Sequence, residues 1–315
     1  MKKLVFRCAV SLAAMLLCSV GAQAQDDIAS FPSKPVHVIV PYGAGSAADL
    51  LARTMAMKLT EMWHQSVIVE NKPGGVGTVG IMYVIKSPPD GYTLVSVPVS
   101  DLTVNPHLYS KRPFDVSKDL VPISQVGAAL NVLVVSPALG VKDGKGLIAL
   151  AKSKPGGLTY SSPGVGSQAH LSAVLFGEAA GIKLEHIPYN GVAAALNDVV
   201  GGQVDLMFAQ LPSALGMIEA GKAQAIGIAS DQRSPVVPNI PTLQEAIGFS
   251  IGNAVSWSGL MAPAGTPLAL REKIAAAVTQ AMRSPDVQKK LAATGTVGLG
   301  GTPQELAKVI EDDSN

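Results

Sequence analysis

The sequence predicts an α/β protein with two lobes, mainly parallel sheets with flanking helices, and a cleft between the lobes. Short runs rich in β-branched residues alternate with longer helical segments, a pattern that is typical of a parallel sheet covered by helices. The alternation occurs in two separate cycles, and we therefore expect one sheet in each lobe.

The first cycle lies in the N-terminal third of the chain. Its predicted strands are residues 36–40, 67–69 and 93–97, each containing valine or isoleucine, and its predicted helices are residues 47–62 and 78–87. Each of the first two strands is followed by a helix, and this alternation favours an α/β unit with a mainly parallel sheet.

The second cycle fills the middle of the chain, and loops and helices are predicted for the remainder. The predicted strands are 132–135, 158–161, 184–188, 204–208 and 225–229, and the predicted helices are 146–154, 168–180, 193–201, 213–220, 267–283, 285–294 and 303–311. We therefore place the second lobe at residues 127–226 and assemble the first lobe from residues 25–126 and 227–315.

The N-terminal segment predicts export. Residues 1–7 include basic side chains, residues 8–20 form a charge-free and mostly apolar run, and Ala22 and Ala24 occupy the small-residue positions that a signal peptidase requires. A membrane anchor needs roughly 20 apolar residues, and the polar residues that begin at Gln23 come too early for one. We expect cleavage after Ala24.

Removal of this segment leaves a chain of nearly balanced charge. It takes away both cysteines, Cys8 and Cys18, and three of the 24 basic residues, which leaves 21 basic against 23 acidic side chains. The exported chain therefore has no disulfide, thiolate metal site or cysteine nucleophile. Because it has no basic excess, we expect neither nucleic acid nor an anionic membrane surface as a partner.

Three loops are the best candidates for a binding site, because each follows a strand, opens a helix and lacks lysine and arginine. They are residues 41–48, 74–80 and 161–168, all rich in glycine, alanine or serine. Backbone N–H groups at such a helix start form a site for an anionic group, for example a carboxylate. The glycines of any one loop also suit a tight turn alone, but three loops from both lobes favour a shared cleft.

Other functional motifs are weaker. Residues 75–80 have the spacing of a dinucleotide fingerprint, with Asp101 following, but residues 70–74 separate them from the strand that the fingerprint should follow almost directly. Neither Ser46 nor Ser167 has the spacing of a nucleophile elbow. The five histidines are scattered without the spacing of metal ligands, so we expect no metal and no cofactor.

Short motifs along almost the whole exported chain resemble one known family. They begin with Pro41-Tyr-Gly-Ala-Gly-Ser-Ala-Ala-Asp49 and Ala52-Arg53, continue through residues 69–75, 89–94, 105–109, 164–171, 187–191, 201–205, 211–213 and 233–235, and end with Ala262-Pro-Ala-Gly-Thr-Pro267. In this order they resemble the Bug family, the substrate receptors of tripartite tricarboxylate transporters.

The resemblance implies a periplasmic receptor of the type II Venus-flytrap fold, which closes on a ligand carboxylate, partly through ordered waters, and offers it to a membrane permease. The residues that it places at the ligand are Tyr42, Gly43, Ala44, Gly45, Ser46, Ala47, Ala48, Gly75, Gly77, Thr78, Ser161, Gly164, Gly166, Ser167, Gln168, Tyr189, Asn190 and Gly191. Residues expected to support the site are Asp49, Arg53, His170 and Asp205.

The sequence departs from the family pattern at three places. Ser46 stands where a second glycine is usual, Asn190 stands where lysine is common, and the C-terminal helix is predicted to end early, near residues 311–315. Ser46 adds a hydroxyl group and Asn190 removes a cation, so both substitutions bear on the identity of the ligand.

We therefore expect a monomeric periplasmic receptor that binds a small carboxylate without catalysing a reaction and delivers it to a permease of the tripartite tricarboxylate type. Backbone N–H groups, with Ser46, Ser161, Ser167 and Gln168, are expected to hold the carboxylate. A receptor that reports to a membrane sensor kinase shares these sequence features, and an exported hydrolase is a more distant alternative.

Overall fold

The structure is a computed structural model that describes residues 28–109, 111–252 and 255–314. The predicted signal peptide and both cysteines lie outside the described residues. Within the described ranges, no helix has the length and apolar character needed to cross a membrane.

The strands and helices alternate along the chain, as the sequence predicts. The strands are β1 (Val36–Val40), β2 (Val67–Asn71), β3 (Thr93–Pro98), β4 (Leu120–Ala129), β5 (Asn131–Val135), β6 (Leu158–Ser162), β7 (Leu184–Pro188), β8 (Leu206–Gln210), β9 (Gln224–Ile228), β10 (Ser256–Pro263) and β11 (Thr296–Gly298). The helices are α1 (Ala47–Trp63), α2 (Thr78–Ile85), α3 (Asn105–Leu108), α4 (Val116–Asp119), α5 (Gly144–Ser153), α6 (Gln168–Ala180), α7 (Val192–Val200), α8 (Leu211–Glu219), α9 (Leu243–Ile247), α10 (Leu268–Met282), α11 (Pro285–Ala292) and α12 (Pro303–Ser314), with a π-helical turn at Ser100–Val104.

In the described part of the chain, these strands form two mixed sheets. The first has the order β11-β4-β10-β3-β1-β2, and the second has the order β7-β6-β8-β5-β9. β1 pairs in parallel with β2 and β3, and β6 pairs in parallel with β7 and β8. The remaining pairs are antiparallel, and they involve β10, β4 and β11 in the first sheet and β5 in the second.

The mixed pairing differs from the mainly parallel sheets that the sequence predicts. The sequence analysis did not predict strands β4, β10 and β11, which supply the antiparallel pairs of the first sheet. β4 contains Pro122 and Gly127, and β10 contains Gly259 among small and polar residues, so neither shows the β-branched run that identifies a strand. Their strand conformation comes from pairing with neighbours rather than from local preference.

The sheets also divide the chain at residues that differ from the predicted lobe boundaries. The ladder between β4 and β10 continues to Ala129, and β5 begins in the second sheet at Asn131, so the predicted boundary after residue 126 falls inside β4. Likewise β9 pairs with β5 as far as Ile228. Helix α9, which the prediction assigned to the first lobe, packs against α5 and β9 of the second sheet.

Helices cover both faces of each sheet. Successive residues of β1 point to opposite faces, so Val38 packs in a cluster with Leu51 of α1, whereas Ile39 packs in a different cluster with Ile81 of α2. All four side chains are almost completely buried. Strands buried on both faces carry continuous apolar runs, and this explains why the central parallel strands could be recognised in the sequence.

The C-terminal helix α12 is part of the first lobe and runs to Ser314, beyond the predicted end near residue 311. It starts with a capping box, in which the Thr302 N–H donates to Glu305 (2.7 Å) and the Glu305 N–H donates to the Thr302 hydroxyl (3.1 Å). Leu306 is 1% exposed and lies against Gly259 of β10. The helix therefore closes one face of the first sheet.

We predict that Leu306→Ala lowers the free energy of unfolding by about 2–5 kcal/mol, because it removes a buried side chain and leaves a cavity. The matched control is Lys308→Ala on the exposed face of the same helix, which should change stability by no more than about 0.5 kcal/mol. Urea unfolding followed by circular dichroism measures both. Equal effects of the two substitutions would contradict the placement of α12 in the core.

Candidate ligand-binding cleft

A cleft lies between the two sheets, at the carboxyl ends of their parallel strands. Pro98 and Gln210, the last residues of β3 and β8, line it. The antiparallel strands β5 and β10 start at the same edge, where Asn131 and Ser256 also line the cleft. Ligands of open α/β sheets bind at this edge.

Two adjoining pockets make up the cleft and share Tyr42 and Pro163. The hinge pocket, named for the crossing between the sheets, is lined by Tyr42, Ser46, Ala48, Pro98, Ser100, Asn131, Pro163, Ser167, Gln168, Ala169, Val192, Met207, Phe208, Gln210 and Ser256. The loop pocket is lined by Tyr42, Gly43, Pro73, Gly74, Gly75, Val76, Gly77, Tyr109, Pro163, Gly164, Val165, Pro188, Tyr189, Asn190 and Gly191. Among the described residues, no lysine, arginine, histidine, aspartate or glutamate lines either pocket.

The loop before α1 is held in place by the carboxylate of Asp49. This carboxylate accepts hydrogen bonds from the Gly45 N–H (3.2 Å), from Arg53 Nε (3.0 Å) and from Asn71 Nδ2 (2.9 Å). Asn71 also donates to the Tyr42 carbonyl (3.0 Å). Burial raises the pKa of Asp49, but the hydrogen bonds from Arg53, Asn71 and Gly45 outweigh burial and hold the pKa below its usual value. Asp49 and Arg53 thus shape the loop without lining either pocket.

Two predicted ligand donors are already engaged inside the second lobe. The Ser161 hydroxyl donates to the Ala195 carbonyl (3.0 Å), and the Ser167 hydroxyl donates to the Gly164 carbonyl (2.7 Å) while it accepts from the His170 N–H (3.3 Å). Ser167 is therefore the N-cap of α6, and Ser161 lines neither pocket. This arrangement differs from the predicted role, because both hydroxyl protons shape the protein instead of pointing at a ligand.

In the described ranges, three helices of eight or more residues start at the hinge pocket with unpaired N–H groups. They are α1, α6 and α7, of 17, 13 and 9 residues. The N–H groups of Ala48, Ala169 and Val192 have no acceptor among the described residues, and all three residues line the pocket. Helix N-termini carry partial positive charge. The hinge pocket can therefore hold an anion without any cationic side chain.

Direct hydrogen bonds cross the cleft. Gln210 of the second lobe accepts from the Ala47 N–H (2.9 Å) through its side-chain oxygen and donates to the Ser256 hydroxyl (2.9 Å). Tyr109 of the first lobe donates to the Val165 carbonyl (2.8 Å). The Ala47 N–H, which the sequence places at the ligand, is therefore bonded to Gln210.

The loop pocket lies in front of a buried carboxylate. Asp101 is 0% exposed and accepts from Tyr42 Oη (2.8 Å) and Asn105 Nδ2 (2.9 Å), with Arg112 at 3.5 Å. Burial raises the pKa of Asp101 to about 6, although these partners oppose the shift. A Cβ on Gly77, at the start of α2, would lie 3.0 Å from the Asp101 oxygen. Gly77, the N-cap of α2, thus lies directly against this carboxylate, while the first N–H groups of α2, those of Thr78 and Val79, donate to the carbonyls of Gly75 (3.1 Å) and Gly74 (3.2 Å).

Two histidines lie behind the loop of the second lobe. His170 Nδ1 accepts from the Gly166 N–H (3.4 Å), and His186 Nε2 lies 2.7 Å from the Ser162 hydroxyl oxygen. Burial lowers the pKa of both rings, that of His186 to about 4, where the neighbouring His170 adds to the effect. His170 supports the loop, and Asp205 lies away from the pockets and accepts from the Thr159 N–H (2.7 Å).

The pockets bring together most of the residues that the sequence places at the ligand. The predicted residues that line neither pocket are Ala44, Gly45, Ala47, Thr78, Ser161 and Gly166. The sequence analysis did not place Asn131, Gln210 and Ser256 at the ligand. Asn131 and Ser256 line the cleft because they begin antiparallel strands at the edge where the parallel strands end. One sequence feature could have indicated Gln210. Pro212 marks the start of a helix directly after β8, and Gln210 lies at this junction of strand and helix.

The described part of the chain has no group of three or more side chains that could bind a metal ion. The fold and the uncharged cleft define a two-lobed solute-binding protein. The family model described as tripartite tricarboxylate transporter family receptor matches residues 51–315, and this chain belongs to that family.

Relatives match over nearly the whole chain. The UPF0065 protein from the tcbD-tcbE intergenic region of Pseudomonas sp. (strain P51) is 34% identical over 96% of this chain and 88% of its own length. Protein BugT of Bordetella pertussis is 33% identical over 95% of this chain and 92% of its own length.

Solved structures show the same fold. A periplasmic transporter has 37% identity and a TM-score of 0.86, with 90% of this chain and 95% of that chain covered. Rpa4515 of R. palustris with adipate has 30% identity, a TM-score of 0.86 and the same coverage. MatC of Rhodopseudomonas palustris with bound malate has 29% identity and a TM-score of 0.83, with 90% and 97% covered. The family and these neighbours are solute-binding receptors rather than enzymes, which confirms the prediction that this chain is not an enzyme.

We predict that Asp101 makes stability depend on pH between about 4 and 6. Because its native pKa of about 6 exceeds the ordinary 3.8, the native state holds this proton more tightly than the unfolded chain. The contribution of Asp101 to stability therefore falls as pH rises through this window. Relative to Asp101→Asn, the wild type should lose on the order of 1–3 kcal/mol between pH 4 and pH 7.

Urea unfolding of both proteins at several pH values measures this difference, and the contributions of His170 and His186 cancel because both proteins contain them. A difference that stays constant across the range would contradict a raised pKa at Asp101.

Proposed function

We propose that this protein is a periplasmic receptor that binds a small carboxylate between its two lobes and delivers it to a membrane transporter of the tripartite tricarboxylate type. The observation that carries the proposal is the convergence of the α1, α6 and α7 N-termini on a pocket without charged side chains. We further propose that the chain reaches the periplasm by cleavage after Ala24 and acts as a monomer.

The electrostatics of the hinge pocket support a carboxylate. Each helix N-terminus is equivalent to roughly half a positive charge, so three of them suit one anionic group. The unpaired N–H groups of Ala48, Ala169 and Val192 supply hydrogen-bond donors from both lobes, and a ligand held by them bridges the cleft. The hinge pocket has about 50 Å³ of free space and adjoins the loop pocket of about 680 Å³, so the cleft as a whole has room for a small molecule.

The ligands of the related structures agree with this chemistry, since adipate and malate are both carboxylates. Membership in a family of transporter receptors supports a membrane permease as the partner that receives the ligand.

We predict that carboxylates raise the melting temperature of the purified protein, whereas neutral sugars and cationic amines of similar size do not. A ligand that binds only the folded state adds about 2.7 kcal/mol at 100 times its Kd. A thermal-shift screen of mono-, di- and tricarboxylates against glucose and putrescine makes the comparison. Stabilisation by the sugar or the amine alone would sink the proposal.

The role of helix N–H groups can be tested by deleting one of them. We predict that Val192→Pro weakens carboxylate binding about tenfold or more, because proline removes the N–H from the first position of α7 and a hydrogen bond to a charged group contributes about 1.5–3 kcal/mol. Proline is well tolerated at this position of a helix, so the fold should persist.

The matched control is Leu268→Pro, the same change at the first position of α10, where the side chain is exposed and lines neither pocket. Calorimetric titration with the carboxylate found in the screen should show unchanged affinity for this control. Equal affinity of the wild type and folded Val192→Pro would show that this N–H group does not hold the ligand.

A further inference from the structure

Asp101 is a buried carboxylate directly behind the wall of the cleft. It lies in the π-helical turn that follows β3, and its side chain is shielded from solvent. Tyr42, which lines both pockets, donates to Asp101 Oδ2 (2.8 Å), and a Cβ on Gly77, which lines the loop pocket, would lie 3.0 Å from Asp101 Oδ1. A single layer of residues therefore separates this carboxylate from the interior of the cleft.

The counterion of Asp101 is also buried. Arg112, whose side chain is 8% exposed, has Nη2 3.5 Å from Asp101 Oδ1 and donates from Nη1 to the Asp101 carbonyl (3.3 Å). Its guanidinium lies over the ring of Phe114, 4.4 Å from the ring centroid. When both groups are ionised the pair has no net charge. Protonation of Asp101 leaves the Arg112 cation without this counterion, behind pockets that no charged side chain lines in the described ranges.

The elements packed around Asp101 bring few other titratable groups near it. Burial raises the pKa of the Tyr42 and Tyr109 hydroxyls, so both stay neutral. Helix α2 carries no acidic or basic side chain, and α12 meets the turn through apolar residues while its charged residues are exposed. His107 and Lys111, which follow the turn along the chain, are exposed to solvent. Asp101 is therefore the group through which pH can alter the charge buried behind the cleft.

A negative charge in the cleft and a negative charge on Asp101 disfavour each other. A like charge nearby raises the pKa of a carboxyl group, so an anion in the cleft strengthens the hold of Asp101 on a proton. By thermodynamic linkage, the protonated form of the protein binds the anion more tightly by the same factor. Burial already raises the pKa of Asp101 to about 6, so this exchange takes place near neutral pH.

We propose that Asp101 is a positioning residue that couples the capture of a carboxylate to the uptake of a proton, so that the receptor holds its ligand more tightly as the pH falls. Asp101 acts through two neighbours, because it holds Tyr42 in the cleft wall and its protonation state decides whether the charge of Arg112 is compensated. This coupling rests on the proposed function and deepens it by naming what regulates the same site.

Calorimetric titration at pH 5.5 and pH 7.5 tests the coupling, with malate, adipate and the carboxylate that stabilises the protein most in the thermal-shift screen as probes. Asp101→Asn carries a neutral group at both pH values. We expect this variant to bind about threefold or more tightly than the wild type at pH 7.5 and nearly equally at pH 5.5, as linkage to one proton requires. Ionisation of the probe and of His170 and His186 is common to both proteins and cancels. A purely structural role of Asp101 would instead make the variant bind more weakly at both pH values.

The matched control is Asp115→Asn in the segment that carries Arg112. Asp115 is exposed and lines neither pocket, and hydrogen bonds from Lys118 and Ser117 hold its pKa at about 2, so it stays ionised at both pH values. This control should keep the pH dependence of the wild type.

Proton uptake gives a second readout that needs no variant. At pH 6.5, wild-type titrations in PIPES and in Bis-Tris, which differ in ionisation enthalpy, should show on the order of half a proton taken up per bound carboxylate. Binding without proton uptake, or an affinity ratio between wild type and Asp101→Asn that is the same at both pH values, would overturn the inference and leave the proposed function standing. If no carboxylate binds at either pH, the proposed function fails and the coupling fails with it.

Discussion

The first backbone N–H groups of a helix have no partner within that helix, and the cleft of this protein depends on that constraint. Helices α1, α6 and α7 each begin shortly after a parallel strand ends, so their free N–H groups gather at one edge of the sheets. Ser46 and Ser167 each satisfy one group in the first turn of its helix. Gly191, the N-cap of α7, makes no side-chain bond and leaves the first turn of that helix open.

Such a site requires rigid loops, because a backbone donor cannot adjust as a long side chain does. Asp49 supplies this rigidity in the first lobe by joining Gly45, Arg53 and Asn71 around one carboxylate. In the second lobe two neutral side chains hold the loop before α6: Ser167 donates to the Gly164 carbonyl, and His170 accepts from the Gly166 N–H. Charged side chains therefore shape the cleft from behind, while uncharged groups form its surface.

Asp101 shows how a similar loop can serve a different purpose. The glycine-rich turn before α2 has the composition of an anion site, yet Gly77 of that turn lies against Asp101, a carboxylate of the protein itself. The carboxylate also holds Tyr42, which lines both pockets, and Asn105, which lies against Gly166 of the other lobe. The buried Asp101 therefore positions both Tyr42 in the cleft and Asn105 at the contact between the lobes.

Local sequence was sufficient for the parallel strands, for the helices that follow them and for the helix starts that form the hinge pocket. Buried β-branched runs such as β1 and polar or proline-marked caps such as Ser46 and Thr302 act within a few residues, so their signals survive without tertiary context. The same locality explains why β5 and β6 were recognised.

Only the tertiary structure decided the antiparallel strands β4, β10 and β11, the partners of Asp101 and the bond between Gln210 and Ala47. β4 and β10 have weak strand signals and are held by their neighbours in the sheet, and Gln210 lies 163 positions from Ala47 along the chain. The direction of a hydroxyl proton, as in Ser161 and Ser167, depends on which acceptor folding brings near it. Contacts over such separations leave no local pattern, because they exist only once both lobes have assembled around the cleft.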